Sequence, residues 1–240
     1  MSELPGGYVN AVVRIGDTVR RTRAPAFVHD LLRFLEGWPG APRYLGDDEQ
    51  GREILSYLDG QVPWQRPVPA FVQATVLAVA RLVREFHDLT AGSALAGDDE
   101  VVCHNDLSPK NTVYRGGRPV AFIDWDIAAP GQRIHDVAHV CWQYVDLGPG
   151  VADPAGAARL VRAVADGYGL ADRSELVDTI LWWQDRCWRG IEAAAEAGMP
   201  AMVRLRELGA AREVREAYEW TATHRELFDV ALSVTPDACH

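Results

Sequence analysis

His104-Asn105-Asp106-Leu107-Ser108-Pro109-Lys110-Asn111, followed further on by Ile123-Asp124-Trp125-Asp126, decides how this 240-residue chain is read. The first segment is a polar loop leaving the apolar run Val101-Val102-Cys103, and the second leaves the apolar run Val120-Ala121-Phe122-Ile123. Between them, Thr112-Val113-Tyr114 and Val120 to Ile123 flank Gly116-Gly117, the pattern of two short strands joined by a tight turn. A hairpin between the loops lets Asp124, eighteen residues after Asp106, return beside the first loop.

Downstream of this segment, from Gln132, the periodicity is mainly helical, with helices expected near 133–145, 155–168, 173–197 and 201–233. Upstream, Val72, Val76, Val79, Val83 and Phe86 are spaced by three and four and mark the buried face of a helix over 70–90. Pro63, Pro67 and Pro69 punctuate the chain before it and mark a lobe boundary. The expected division is a small β-rich lobe over 1–62 and a larger, mainly helical lobe over 63–240. In the first lobe, Ala11 to Ile15 and Thr18 to Arg21 form a hairpin around Gly16-Asp17. Residues 28–38 suit one amphipathic helix ending at Pro39-Gly40, and 42–46 and 53–58 add two strands.

Composition narrows the partners. With 34 acidic residues against 24 Lys and Arg, the formal charge is −10, so the mean field opposes a nucleic acid or an anionic membrane and favours a cationic ligand. Cys103, Cys141, Cys187 and Cys239 are scattered and form neither a metal-binding pair nor a disulfide ladder, which points to reduced thiols. No run reaches the roughly 20 apolar residues of a membrane span, and Met1 to Gly7 lacks signal-peptide features, so the expected location is cytoplasmic.

The ordered set H-x-D-x-x-x-x-N, hairpin and strand-borne Asp resembles the catalytic and metal-binding loops of kinase-fold enzymes, which carry H-R-D-x-x-x-x-N and then D-F-G. The wording His104-Asn105-Asp106 and Asp124-Trp125-Asp126 is closer to the aminoglycoside phosphotransferase family of small-molecule kinases than to protein kinases. Pro130-Gly131 and Asp136-Val137-Ala138 resemble that family's next segment. The resemblance implies an α+β, protein-kinase-like two-lobed fold and transfer of the ATP γ-phosphate to a small-molecule hydroxyl, with ATP and Mg²⁺ as cofactors. It makes Asp106 the catalytic base, Asn111 and Asp124 the metal ligands, and Asp136 a structural anchor for the loop. His104 is either a base or metal ligand, or a buried imidazole bracing the loop; the resemblance favours bracing. Asp126 either assists the metal or a substrate amine, or caps the following turn.

In the N-terminal lobe the same resemblance assigns Gly6 and Gly7 to the turn covering the phosphates. Arg21, with Arg20 as second candidate, is the basic residue on the phosphates, since strand alternation turns only one inward. The resemblance makes Ser56 to Leu58 the hinge that meets the adenine edge, with ordinary strand pairing the alternative for the same residues. The family's helix glutamate has no counterpart in Val28-His29-Asp30, where His29 or Asp30 stands as the substitute. That departure supports a second reading, a non-catalytic nucleotide-binding or regulatory protein on the same fold. For the acceptor, Asp178, Trp182, Asp185, Glu192 and Glu196 share one helical stripe, with Asp185 the leading contact for an antibiotic or amino alcohol and a solvated face the alternative.

Overall fold

The computed structural model describes residues 2–3, 12–63 and 73–233. The chain divides into two compact units, one of 1–69 with 81–136 and one of 70–80 with 137–240. The loops at 104–111 and 123–126 thus belong to the same unit as the N-terminal strands.

That first unit holds an antiparallel five-stranded sheet in the order β1-β2-β3-β5-β4. Its strands are β1 (Ser2–Glu3), β2 (Val13–Ile15), β3 (Thr18–Arg21), β4 (Tyr44–Asp47) and β5 (Glu53–Ser56), with helix α1 (Ala26–Phe34) between β3 and β4. Ile15 pairs with Thr18 around the expected two-residue turn, where Gly16 takes a φ of 60°. Helix α1 buries Val28, His29, Leu31 and Leu32. It stops four residues before the expected Trp38, because Pro39 disfavours helical backbone at the residue before it and the chain turns through 35–37.

Helix α2 (Gln73–Thr90) buries Val76, Val79, Val83 and Phe86, as its spacing predicts. It is followed by β6 (Val101–Cys103), a 3₁₀ turn (Pro109–Asn111), β7 (Thr112–Arg115), β8 (Arg118–Phe122) and β9 (Ala129–Gly131). The β7–β8 turn places both Gly116 and Gly117 at positive φ, 55° and 77°, which the tight hairpin requires. Strand β9 was not legible in the sequence, since it is three residues long with Pro130 at its centre. It pairs antiparallel with β6, and a Cβ on Gly131 would come within 3.0 Å of the Cys103 sulfur.

Helix α3 (Arg133–Val145) leads into the second unit, which contains α4 (Pro154–Tyr168), α5 (Leu176–Glu196), α6 (Pro200–Glu207), α7 (Ala210–Thr223) and α8 (Arg225–Ser233). The single helix expected over 201–233 is three helices. Gly209 breaks the first junction with a φ of 85°, and at the second His224 leaves helical geometry while its Nδ1 bonds the Trp220 carbonyl at 2.8 Å. The Trp220 and His224 rings pack 4.3 Å apart. No helix among the described residues is long and apolar enough to cross a membrane.

Asp136, in the first turn of α3, fixes the loop that follows β6. Its carboxylate is fully buried and accepts the backbone N–H groups of His104 (2.7 Å) and Asn105 (2.9 Å) and a bond from His87 Nε2 (3.1 Å). Asn105 has a φ of 65°, a left-handed conformation that Asn tolerates better than most residues. Burial alone would raise the Asp136 pKa, but the hydrogen bonds from His87 and from the His104 backbone hold its carboxyl below the usual range. Removing this carboxylate takes the acceptor away from three donors, two of them buried.

Asp136→Ala is expected to cost about 3 kcal/mol in urea unfolding; a loss below about 1 kcal/mol would sink the anchoring role. Between the folded and unfolded pKa values the unfolded chain binds the extra proton, so this stabilisation is present above about pH 4 and fades as pH falls through the lower folded value. Stability should therefore decline less steeply on the acid side in Asp136→Asn than in the parent chain.

Candidate active site

Strand register builds the first half of the site. In the β3–β5 ladder Arg21 stands opposite Glu53, and alternation along β3 turns the Arg21 side chain inward, leaving it 8% exposed. Arg20 goes the other way, bonding Thr18 and lying 3.9 Å from Asp48. Glu53 is fully buried and has three donors: Arg21 Nε at 2.5 Å on Oε1, and the Ala24 N–H at 3.0 Å and His29 Nε2 at 2.7 Å on Oε2. The two remaining arms of the guanidinium reach Asp124 (Nη1, 3.1 Å) and Asp126 (Nη2, 2.5 Å). The acid that holds the arginine is therefore on a strand. Asp30 is exposed and pairs with Arg33 instead.

The second half hangs from the loop fixed by Asp136. His104 is fully buried, its Nδ1 accepts the Asp106 N–H, and its Nε2 therefore donates to the Ile123 carbonyl at 3.2 Å. Burial lowers its pKa, against the opposing pull of Asp136 and Asp106, and keeps the ring neutral. The imidazole packs on Trp125 with ring centroids 4.5 Å apart, and Trp125 is 1% exposed against Phe86. His104 is thus a brace joining the two loops. Asn111 points its amide nitrogen at Asp106, bonding Oδ2 at 2.7 Å and the backbone carbonyl at 2.8 Å, while its own backbone carbonyl accepts the Ile123 N–H. Asp124, next in the chain, has a φ of 66° and a half-exposed side chain. Asp106, Asn111, Asp124 and Arg21 thereby form one connected network.

The donors suit a hard divalent cation. With its nitrogen committed to Asp106, Asn111 keeps Oδ1 for a ligand, and Asp124 offers the oxygen not used by Arg21. Asp106, Glu53, Asp124 and Asp126 set four carboxyl groups against one guanidinium, an imbalance that a magnesium ion would offset. Burial raises the Asp126 pKa even though Arg21 pulls it down. Burial would lower that of Arg21, but Asp126, Glu53 and Asp124 hold it above its usual value. Among the described residues, His87, Cys103 and Asp136 also cluster closely enough to suggest a metal. Burial and the nearby Asp136 push the Cys103 thiol far up, and it donates to the Gln132 carbonyl, so this group is a protonated part of the loop anchor.

Other sequence candidates are placed as follows. Gly6 and Gly7 lie outside the described residues. Ser56 has its N–H on the Arg43 carbonyl and its hydroxyl accepting the Arg43 N–H, the Tyr57 N–H is taken by the Asp17 carbonyl, and Leu58 lies beyond the end of β5. Asp185, on α5 in the second unit, is held by Arg189 at 2.8 Å through both oxygens, and Asp178 by Arg225 at 2.6 Å. Trp182 is 45% exposed, with Arg186 already over its ring at 5.3 Å. Glu53 and its link to His29 were missed, because only the pairing of β3 with β5, strands separated in sequence, brings Glu53 to Arg21.

Residues 90–176 match the family model described as phosphotransferase enzyme family. The trifolitoxin immunity protein of Rhizobium leguminosarum bv. trifolii is 31% identical over 265 residues, covering 96% of this chain and 98% of that protein. Two solved structures share the fold. A spectinomycin phosphotransferase in complex with ADP and spectinomycin has a TM-score of 0.64 at 10% identity over 94% of this chain and 93% of its own. The GDP complex of aminoglycoside 2'-phosphotransferase-IIIa has a TM-score of 0.57 at 14% identity over 97% and 92%. With its β-rich N-terminal region, its mainly helical C-terminal part and the network above, the chain belongs to the phosphotransferase enzyme family, which includes the aminoglycoside phosphotransferases.

Proposed function

We propose that this protein transfers the γ-phosphoryl group of ATP to a hydroxyl of a small antibiotic-like molecule or amino alcohol. The observation that carries the proposal is that Asn111 bonds Asp106 through its amide and the Ile123 N–H through its backbone carbonyl, one residue before Asp124, which Arg21 holds. Phosphoryl transfer needs an aligned alcohol, a neutralised polyphosphate and little else from the protein, so positioning and charge carry the chemistry. Asp106 accepts the proton of the attacking hydroxyl as its oxygen bonds the γ-phosphorus and the bond to the β–γ bridging oxygen breaks, releasing ADP. Asn111 Oδ1 and Asp124 would hold Mg²⁺, which would offset charge on the phosphates. Arg21, anchored at Nε by Glu53, turns its outer nitrogens from the aspartates toward phosphate oxygens. Leu58 offers its backbone to the base.

Glu53 supplies the carboxylate that Asp30, exposed and paired with Arg33, does not bring to Arg21, which supports the catalytic reading over a purely regulatory one. The name of the relative, an immunity protein against trifolitoxin, supports a protective role in which the acceptor is a toxic compound. The acidic face of α5 offers less to a polycation than its sequence suggested, since Asp178 and Asp185 are already paired with arginines.

The direct test is a coupled assay with ATP and Mg²⁺ against cationic and uncharged antibiotics and amino alcohols, with the phosphate located by mass spectrometry. Nucleotide binding with no transfer across that panel would favour the regulatory reading. For an active acceptor, Asp106→Asn should lower turnover by about 100- to 10,000-fold and change nucleotide affinity only a few fold. Near-native turnover in that variant would refute the base assignment.

Arg21→Met should move two affinities in opposite directions. Without the guanidinium, the site of Asn111 and Asp124 should bind Mn²⁺ alone about three- to tenfold more tightly, read by electron paramagnetic resonance, because a competing cation is gone. Affinity for the Mg²⁺–nucleotide complex should fall by about tenfold, because a phosphate partner is gone. A drop in both would show that Arg21 is needed mainly for folding.

A further inference from the structure

We infer that His29 is a positioning residue for Arg21, acting through Glu53, an inference that rests on the proposed role of Arg21 at the phosphates. Three observations carry it. Asp30 points to solvent and Arg33, so among the described residues of α1 the side chain that reaches the arginine's counter-ion is His29. The imidazole is 2% exposed and stacks on Tyr44 of β4 with centroids 4.1 Å apart and planes 19° apart, so its orientation is fixed by packing. Its Nε2 lies 2.7 Å from Glu53 Oε2, opposite the oxygen that holds Arg21.

The two oxygens of Glu53 divide the work. Oε1 takes Arg21 Nε, while Oε2 is pinned by the Ala24 N–H from one side and by His29 from the other. With both pins in place the carboxylate cannot turn about its last torsion, and the plane of the guanidinium is set by a bond that stays when its outer nitrogens leave Asp124 and Asp126 for phosphate. With His29 lost, Ala24 alone holds Oε2, and the carboxylate and the arginine fork can swing together. The tie between α1 and the phosphate-binding residue is thereby split into a strand carboxylate and a helix imidazole.

The test compares His29→Leu, which keeps bulk and loses the donor, with His29→Gln, whose amide nitrogen reaches the place of imidazole Nε2. Binding of a fluorescent ATP analogue with Mg²⁺ should weaken about tenfold in His29→Leu and stay within about threefold of the parent in His29→Gln. With an active acceptor, KM for ATP should carry that loss and kcat should change less. The Arg21 Nε–H resonance, recorded by ¹H–¹⁵N NMR without nucleotide, should be slow to exchange in the parent and in His29→Gln and exchange-broadened in His29→Leu. Equal affinity in all three proteins, or equal impairment of both variants, would overturn the inference, as would an unchanged resonance in His29→Leu. A parent chain that shows the protected resonance and binds no nucleotide would instead reject the proposed function and leave the positioning role standing.

Discussion

A guanidinium and a carboxylate taken out of water face each other across β3 and β5, and the arrangement of the site follows from satisfying both. An unpaired charge at either position would cost several kcal/mol, so Glu53 gathers three donors and Arg21 distributes its nitrogens over three carboxylates. This pair draws the N-terminal sheet and the loop after β8 to one place. It also explains why the usual helix acid is dispensable here, because a strand residue in register supplies the same charge at shorter reach.

The opposite wall is built by backbone geometry that would be unfavourable in isolation. Asn105 and Asp124 both hold left-handed conformations, and each lies beside a fully buried polar group, Asp136 for the first and His104, through Ile123, for the second. Buried carboxylate and imidazole thus serve as fixed scaffolds for exposed chemistry. Trp125 completes the frame by filling the space against Phe86 and His104 with an apolar ring. The network is buried at Arg21 and Asn111 and half-exposed at Asp124.

The helical unit corrects an argument made from charge alone. A formal charge of −10 invites a cationic acceptor, and the stripe on α5 carries carboxylates for it. Arginines one turn away and on α8 already occupy Asp185 and Asp178, so the summed charge of the chain says little about the field at any one surface.

The amino-acid sequence by itself determined the β-rich beginning, the helical remainder and the two loops around a glycine hairpin, because these depend on periodicity, turn chemistry and short spacing. Asp106, Asn111, Asp124 and the bracing His104 were legible for the same reason, being separated by one hairpin. Short β9 and the breaks at Gly209 and His224 were not, since each gains its geometry from neighbours rather than from local preference. Only the tertiary structure decided which acid holds Arg21. Residues 32 positions apart become partners when β5 docks beside β3 in one register, and a shift of a single residue would have turned Glu53 to the other face.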